Sequence, residues 1–284
     1  MHKNTRNFMD EKKAKLTALI IVLNGERTIG SCLQSLAFCD SIVVIDSFST
    51  DKTKEICLAH NTVFIENPFK GYMEQIQFGI DWINKNAPSE WIFFLDCDEI
   101  CSIELKEKIQ TALAQNSPVS AYQVSRLTWY YDRFLYHGGM YPDRLFRLFK
   151  PEGITISQKN GHPIYVPTGK HGILDGDLLH YSYESFTHQM TKINGYATRG
   201  AVSMRQAGKK GGLGKALLHS FWRFISMYLV KKGFLDGKAG FINAYHIAFY
   251  TFLKYIRVEE GLWGEPYVQS LSELPTNKQK RKKQ

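Results

Sequence analysis

The chain has 284 residues, of which 44% are hydrophobic and 22% are charged. This composition supports a large packed core and excludes a wholly disordered chain. The five cysteines form no CxxC pair and have no histidine spacing suited to zinc, which argues against a disulfide scaffold and a structural zinc site. We therefore expect reduced thiols in a cytosolic compartment, and the charged N-terminal segment does not resemble a signal peptide.

The positive charge is concentrated near the C-terminus. Overall, 36 basic and 27 acidic side chains give a net charge of +9. Residues 1–204 contain 21 basic and 22 acidic groups, whereas residues 205–284 contain 15 and 5. This asymmetry predicts an anionic partner for the last part of the chain only, either nucleic acid or an anionic membrane surface.

Short apolar runs alternate with helical patterns in the first hundred residues. The pattern predicts helices at 28–37, 52–60 and 72–84, and buried parallel strands at 17–23, 42–46, 62–65 and 91–95. This alternation favours an α/β fold with an open, mainly parallel sheet and helices on both faces. The sequence contains no GxGxxG or P-loop motif, so dinucleotide-binding and P-loop folds are poor candidates.

From about residue 121 the pattern changes to short mixed strands and then to helices. We predict strands at 121–128, 144–150 and 178–183, and a helix at 185–207. Two aromatic-rich apolar stretches follow, at 217–230 and 239–253. Each is shorter than the roughly 18–20 residues that a membrane-spanning helix needs.

Acidic side chains follow two of the predicted strands. Asp46 ends the second strand, and Asp96, Asp98 and Glu99 follow the fourth. Ligands of parallel α/β sheets bind at the carboxyl ends of the strands. Clustered carboxylates repel one another unless a cation lies between them, so the pattern predicts Mg²⁺ or Mn²⁺ bound with a substrate phosphate. The alternative for Glu99 and for Glu104 is that they cap the next helix.

Four sequence blocks resemble family 2 glycosyltransferases of the GT-A fold. In order, they are LTALIIVLNGE (16–26), IVVIDSFSTDKT (42–53), WIFFLDCDE (91–99) and LLHYSYESF (178–186). Together with HGGMYPDRLFRLF (137–149), they are most similar to the subgroup that includes lipopolysaccharide core β-glucosyltransferases. The resemblance implies a nucleotide-sugar donor such as a UDP-hexose, inversion at the anomeric carbon, and one divalent metal on the diphosphate.

The resemblance, together with the composition of the C-terminal part, predicts a domain organisation. A flexible N-terminus would occupy residues 1–15 and a GT-A catalytic domain residues 16–210. An amphipathic helical extension that associates with the membrane would follow at 211–260, and a basic tail at 261–284.

The resemblance implies roles for residues near the nucleotide and the metal. Asn24, Glu26 and Asp46 would lie at the nucleotide, Asp96 at the ribose or a metal-bound water, and Asp98 on the metal. Such a division is chemically reasonable, because a carboxylate accepts hydrogen bonds from N–H and O–H groups while the metal neutralises the leaving diphosphate.

Other candidate ligands come from blocks that match the subgroup less closely. Gln75 matches its motif position, but Ile76 stands where the subgroup has arginine, which leaves Lys70 as the nearest cation. One of Arg144 and Arg147 is expected to approach the diphosphate, with the other solvated. His180 is either a phosphate or metal ligand or a structural histidine.

The general base is less clearly indicated. In this subgroup a His-Glu pair commonly follows the RLF block, whereas this chain has Gly161-His162-Pro163. Pro163 replaces the glutamate, so His162 and Asp143 are the available candidates, and an ordinary loop role is the alternative for His162.

Aromatic side chains and cations are interleaved in the two C-terminal apolar stretches. This pattern is typical of helices that lie in a membrane interface, and the alternative is that they pad the catalytic core. The apolar content is too high for a nucleic-acid surface. The sequence thus predicts an inverting glycosyltransferase, cytoplasmic and peripherally attached to the inner face of the cell membrane, acting on an envelope glycan or lipid. The alternatives are a polyprenyl-phosphate or protein acceptor, or a non-catalytic nucleotide- or carbohydrate-binding relative.

Overall fold

The computed structural model describes residues 14–115, 118–159 and 162–259. The helices are α1 Ile29–Ser35, α2 Thr53–Ala59, α3 Tyr72–Asn86, α4 Ile103–Ala114, α5 Phe186–Gln206, α6 Leu213–Ile225 and α7 Gly237–Arg257. The strands are β1 Ala14–Val22, β2 Ser41–Asp46, β3 Val63–Glu66, β4 Ser89–Asp96, β5 Glu99–Cys101, β6 Ala121–Tyr130, β7 Arg133–Phe134, β8 Asp143–Phe149, β9 Ile154–Lys159, β10 His162–Pro167 and β11 His171–His180. A π-helical turn at Ser226–Val230 and a 3-10 turn at Gly233–Asp236 join α6 to α7.

The strands form one large mixed sheet and a separate hairpin. The order in the sheet is β3-β2-β1-β4-β8-β6-β11-β5, with β7 paired to β6. Strands β1 to β4 are parallel, and β8 runs antiparallel to both β4 and β6. The carboxyl ends of the four parallel strands therefore lie along one edge, where a ligand is expected.

The core lies on both faces of this sheet. Helices α1, α2 and α4 cover one face, and α3 covers the other together with the β9–β10 hairpin. Burial on both sides explains why consecutive residues of β1, such as Leu19 and Ile20, are completely buried. Most of the predicted strands and helices are confirmed to within a few residues at their ends. The strand predicted at 178–183 is instead the end of β11, which runs from His171 to His180, and β1 begins at Ala14, before the predicted domain start at residue 16.

The last three helices form a unit that docks on the sheet. Arg257 of α7 donates hydrogen bonds to the Asn194 carbonyl and the Thr198 hydroxyl of α5, at 2.6 and 2.9 Å. His246 of α7 contacts the Tyr130 hydroxyl of β6 at 2.6 Å. The unit thus includes α5, which lies before the predicted boundary at residue 210, and that boundary stays a prediction. Among the described residues, no helix is long and apolar enough to cross a membrane, and the predicted tail at 261–284 lies outside them.

Candidate active site

The loops after β1 and β2 hold each other through side chains. The Asn24 side chain accepts a hydrogen bond from the Thr50 amide at 2.8 Å, and the Glu26 carboxylate accepts one from the Lys52 amide at 3.1 Å. In return, Ser49, Thr53 and Asp51 accept hydrogen bonds from the amides of residues 24, 25 and 26. The DSFSTDKT block therefore fixes the shape of the NGE turn, and the two loops form one rigid wall of the site.

Asp46 and Gln75 stabilise this wall from beneath. Asp46 is 1% exposed, and its carboxylate accepts hydrogen bonds from the amide and the hydroxyl of Ser49. The buried Gln75 amide donates to the Ser47 hydroxyl and to the carbonyl of Asn67, and it accepts from the Asn67 side chain. In this geometry both side chains position the loops, and their direct contact with the nucleotide stays a prediction.

The first loop also packs directly against the loop after β4. A Cβ atom added at Gly25 would lie 2.7 Å from Val22 Cγ2 and 3.2 Å from Cys97 Sγ. Because a Cβ atom has no room there, this close approach requires glycine at residue 25. Cys97 lies between Asp96 and Asp98 in the sequence. The contact brings the predicted nucleotide loops and the predicted metal-binding carboxylate to the same edge of the sheet.

A buried ion-pair network lies behind the DCD sequence. One nitrogen of Arg147, Nη2, donates to Asp96 Oδ2 and to Glu99 Oε1, both at 2.8 Å, and the guanidinium lies 4.5 Å from the centre of the Phe94 ring. Glu99 is 0% exposed and Arg147 is 2% exposed. Burial alone would lower the pKa of Arg147, but Glu99 and Asp96 raise it well above its ordinary value. The guanidinium therefore stays charged.

This network bears on two sequence-based expectations. Glu99 does not cap the following helix, because Ser102 is the N-cap of α4 and Glu99 pairs with arginine. Arg147 is buried and ion-paired and so is not solvated, whereas Arg144 is exposed; the approach of one of these arginines to the diphosphate stays a prediction. The strand pairing explains the burial, since β8 has one extra residue at Arg147 opposite Tyr122 and Gln123 of β6.

Asp143 belongs to the same network. Its Oδ2 atom accepts two hydrogen bonds from Arg126, at 2.9 and 2.7 Å, and Arg126 also lies 3.6 Å from Glu99 Oε1. The other candidate base, His162, begins β10, but its side chain lies outside the described residues. Lys70 is exposed in the loop before α3 and makes no ion pair in the described part of the chain.

Asp98 and His180 meet at the edge of the site. His180 Nε2 lies 3.5 Å from Asp98 Oδ2, and the Asp98 carbonyl accepts a hydrogen bond from the Tyr181 amide at 2.9 Å. Burial raises the pKa of Asp98, but the hydrogen bond and charge of His180 and the charge of Lys192 outweigh it and lower the pKa to about 2. Asp98 is therefore an ionised carboxylate at neutral pH.

This pair fits a divalent cation that also binds substrate. Two ligands of one ion, each about 2.1 Å from it, lie roughly 3 to 3.5 Å apart, as these two do. No group of three or more histidine, cysteine or acidic side chains suited to a metal occurs in the described ranges. The Asp98 carboxylate is the kind of ligand that Mg²⁺ and Mn²⁺ prefer, and the His180 imidazole suits the transition metal Mn²⁺ better than Mg²⁺. Water and phosphate oxygens would fill the remaining positions.

Sequence reasoning did not identify two members of the site. Arg126 links Asp143 to Glu99, and Tyr72 donates a hydrogen bond from its hydroxyl to Asp96. Tyr72 lies in the GYMEQ segment (71–75), in which the family resemblance implies a role for Gln75 alone. Arg126 lies within an apolar strand, where an isolated charge is itself a signal that a partner is buried nearby.

Comparisons with known proteins show the family of this chain. The sequence profile of the family described as Glycosyl transferase family 2 matches residues 17–172. The chain belongs to this family. It is 31% identical to the lipopolysaccharide core biosynthesis glycosyltransferase LpsC of Rhizobium meliloti (strain 1021), over 85% of this chain and 90% of LpsC. An uncharacterised glycosyltransferase of Rickettsia typhi is 26% identical, with 87% of each chain covered.

A solved structure also matches part of the chain. Glucosyl-3-phosphoglycerate synthase from Mycobacterium tuberculosis, in complex with Mn²⁺, UDP and glucosyl-3-phosphoglycerate, is 20% identical over 39% of this chain and 43% of its own, with a TM-score of 0.33. The family match and the mixed sheet flanked by helices confirm the predicted family and the GT-A class of fold. The protein is a family 2 glycosyltransferase that resembles the lipopolysaccharide core subgroup.

Proposed function

We propose that this enzyme transfers a hexose from a UDP-sugar to lipopolysaccharide core or a related envelope glycolipid, with inversion at the anomeric carbon. The observation that carries the proposal is the Asp98–His180 pair, which lies beside the interlocked loops of Asn24 and Glu26 at the carboxyl edge of the parallel strands. The similarity to LpsC over most of both chains supports the choice of acceptor class.

Each part of the site has a separate task in this proposal. The wall formed by the Asn24 and Glu26 loops receives the nucleotide, with Asp96 facing the ribose. Asp98 and His180 hold Mg²⁺ or Mn²⁺, which when bound neutralises the charge of the departing diphosphate. Arg147, Arg126 and Glu99 are the frame that keeps Asp96 in place. The buried Arg147 donates hydrogen bonds to Asp96 and to Glu99, and the half-buried Arg126 forms an ion pair with Glu99.

The general base is proposed to be Asp143 or His162. Asp143 lies on β8 with 39% of its side chain exposed, so it remains open to an acceptor hydroxyl. Arg126 donates two hydrogen bonds to the Oδ2 atom of Asp143, which leaves Oδ1 to accept the proton of the acceptor hydroxyl. Replacement of each residue separately distinguishes the two.

We also propose that the helical unit attaches the enzyme to the cytoplasmic side of a membrane. The outer side of α6, α7 and the turns between them is here called the apolar face. It consists of exposed large side chains: Leu213, Leu217, Leu218, Phe221, Trp222, Leu229, Val230, Phe234, Leu235, Phe241, Tyr245 and Phe249. The inner side of α7, with Ala239, Ala244 and Ala248, packs inward. The helices thus pad the core on one side and leave an apolar, cationic surface on the other.

Turnover with a panel of nucleotide sugars and acceptors tests the catalytic proposal. Asp98→Asn should lower metal-dependent transfer by at least about 100-fold, because a neutral amide cannot offset the charge of the cation or of the diphosphate. The matched control is Asp81→Asn, which changes an exposed carboxylate on α3 and should leave turnover unchanged. Full activity of Asp98→Asn, or of the parent in excess EDTA, would refute the metal assignment.

The same panel separates the acceptor classes. Transfer to lipopolysaccharide core acceptors but not to polyprenyl phosphate or peptide supports the proposal. Preference for either of the latter would replace the acceptor, and donor binding without any transfer would indicate a non-catalytic relative.

A further inference from the structure

A small cavity lies between α6 and α7, two helices that come later in the sequence than the carboxylates of the active site. Its volume is about 170 Å³. The residues of α6 and the following turn that line it are spaced three, four and seven positions apart, so they share one side of the helix. The lining side chains include His219, Trp222, Arg223, Ser226, Lys254 and Tyr255.

Within the part of the chain that the structure describes, the cations of this cavity have no acidic partner. Helices α5, α6 and α7 contain no aspartate or glutamate. Neither Arg223 nor Lys254 forms an ion pair with any side chain of the described residues. Burial lowers the pKa of Lys254, and the charges of Arg223 and Lys209 lower it further. Neighbouring cations without a carboxylate between them favour an external anion.

The aromatic residues hold these cations in place. The Lys254 ammonium lies 5.3 Å from the centre of the Tyr250 ring and 5.6 Å from that of Tyr255. Tyr255 in turn stacks on His219, with ring centroids 4.5 Å apart and planes 9° apart. The cationic group is therefore ordered by ring contacts before any ligand binds, which reduces the entropy cost of binding.

The cavity opens beside the apolar face. Trp222 lines the cavity and is 61% exposed, and Leu218 and Phe221 on the same helix are each 66% exposed. A ligand that satisfied both features would carry a phosphate for the cations and hydrocarbon for the exposed side chains. Nucleic acid would instead need a row of cations that contact successive phosphates, and the exposed apolar side chains beside this cavity do not suit it.

We propose that the α6–α7 cavity binds the head-group phosphate of an anionic phospholipid, with Arg223 and Lys254 as its charged contacts. The acyl chains would lie along Leu218, Phe221 and Trp222. This site rests on the proposed membrane attachment, and it adds a discrete lipid-binding site to what would otherwise be a diffuse surface attraction. It does not depend on glycosyl transfer.

A soluble lipid separates a discrete site from general surface charge. The full-length protein is titrated with dihexanoyl phosphatidylglycerol below its micelle concentration, with tryptophan fluorescence as the signal and Trp222→Phe to assign it. Arg223→Gln/Lys254→Gln should weaken binding at least about tenfold, since it removes charged hydrogen-bond donors. The control Lys231→Gln/Lys232→Gln removes the same charge from exposed residues that do not line the cavity, and it should change the affinity less than about twofold.

Other probes test the chemistry of the ligand. Dihexanoyl phosphatidylcholine, which has no net charge, and inorganic phosphate alone should each bind at least about tenfold more weakly than phosphatidylglycerol. The charge-retaining variant Arg223→Lys/Lys254→Arg should keep most of the affinity, which excludes misfolding as the cause of the loss.

Three outcomes would overturn the proposal. Equal losses in the cavity variant and the control would indicate diffuse charge, and equal affinity for inorganic phosphate would indicate a free-phosphate site. If the parent floats with phosphatidylglycerol vesicles but does not bind the soluble lipid, membrane attachment holds and the discrete site is wrong.

Discussion

Arg147→Met tests whether the buried network supports the fold. The substitution removes two 2.8 Å hydrogen bonds to Asp96 and Glu99 and leaves the Glu99 carboxylate in a fully buried position. Removal of one partner from a buried ion pair costs about 3 to 5 kcal/mol. Two features reduce the cost here: Arg126 remains 3.6 Å from Glu99, and two buried Arg147 nitrogens have no hydrogen-bond partner within the described chain. We therefore expect a loss of about 3 kcal/mol, at the lower end of that range.

Urea unfolding of matched variants measures this loss. Arg144→Met is the control, because Arg144 lies three residues earlier on the same strand and is exposed, and it should change the free energy of unfolding by less than about 0.5 kcal/mol. The double variant with Glu99→Gln removes the stranded charge. It should be more stable than the sum of the two single changes predicts by at least about 1 kcal/mol.

Two results would refute the reasoning. If Arg147→Met is as mild as the Arg144 control, the network contributes little to the fold. If the double variant shows simple additivity, Arg147 and Glu99 are not coupled, and the loss comes from packing against Phe94.

Three further predictions concern other parts of the molecule. Gly25→Ala should destabilise the protein by about 1 to 3 kcal/mol and weaken nucleotide binding in calorimetry, because the added methyl group has no room; Gly214→Ala, which faces open space, should do neither. Burial lowers the pKa of His246 in the folded protein, so on acidification the histidine takes up its proton in the unfolded chain first. The contribution of His246 to stability is therefore full above about pH 6.5 and falls below that pH. The variant His246→Gln should reduce this pH dependence when the free energy of unfolding is measured from pH 7.5 to 5.5. His162→Ala or Asp143→Asn, whichever removes the base, should lower turnover by about 10²- to 10⁴-fold with donor binding retained, and near-normal rates in both would exclude both.

The parallel half of the fold was predictable because its strands are buried on both faces. A continuous apolar run such as 91–95 then marks the strand, and the residues that follow it must emerge at its carboxyl end. The position of Asp98 at the site edge follows from this rule alone. Its pairing with His180 does not, because it depends on how β11 lies beside β5, which no local pattern shows.

The buried network could not be predicted for a related reason. Strict alternation along β8 places Arg144 and Arg147 on opposite faces, but it does not say which one is buried. The additional residue in β8 gives three consecutive buried side chains, Arg147, Leu148 and Phe149. The bulge depends on pairing with β6, so the burial of Arg147 is a tertiary property.

The balance of charge in each cluster distinguishes a structural role from a binding role. Arg147 and Arg126 are matched within the fold by Asp96, Glu99 and Asp143, so this cluster needs no ligand to be stable. Among the described residues, the charged side chains that line the α6–α7 cavity are the cations Arg223 and Lys254, with aromatic rings beside them in place of carboxylates. The net charge of residues 205–284 predicted an anionic partner for the C-terminal part of the chain. It could not predict a binding site, because the two cavity cations are on different helices and come together only in the folded structure. Cations that the fold holds together without carboxylates are stabilised when an anion binds from outside. For this reason the cavity, and not the buried network, is the feature to test for a second ligand.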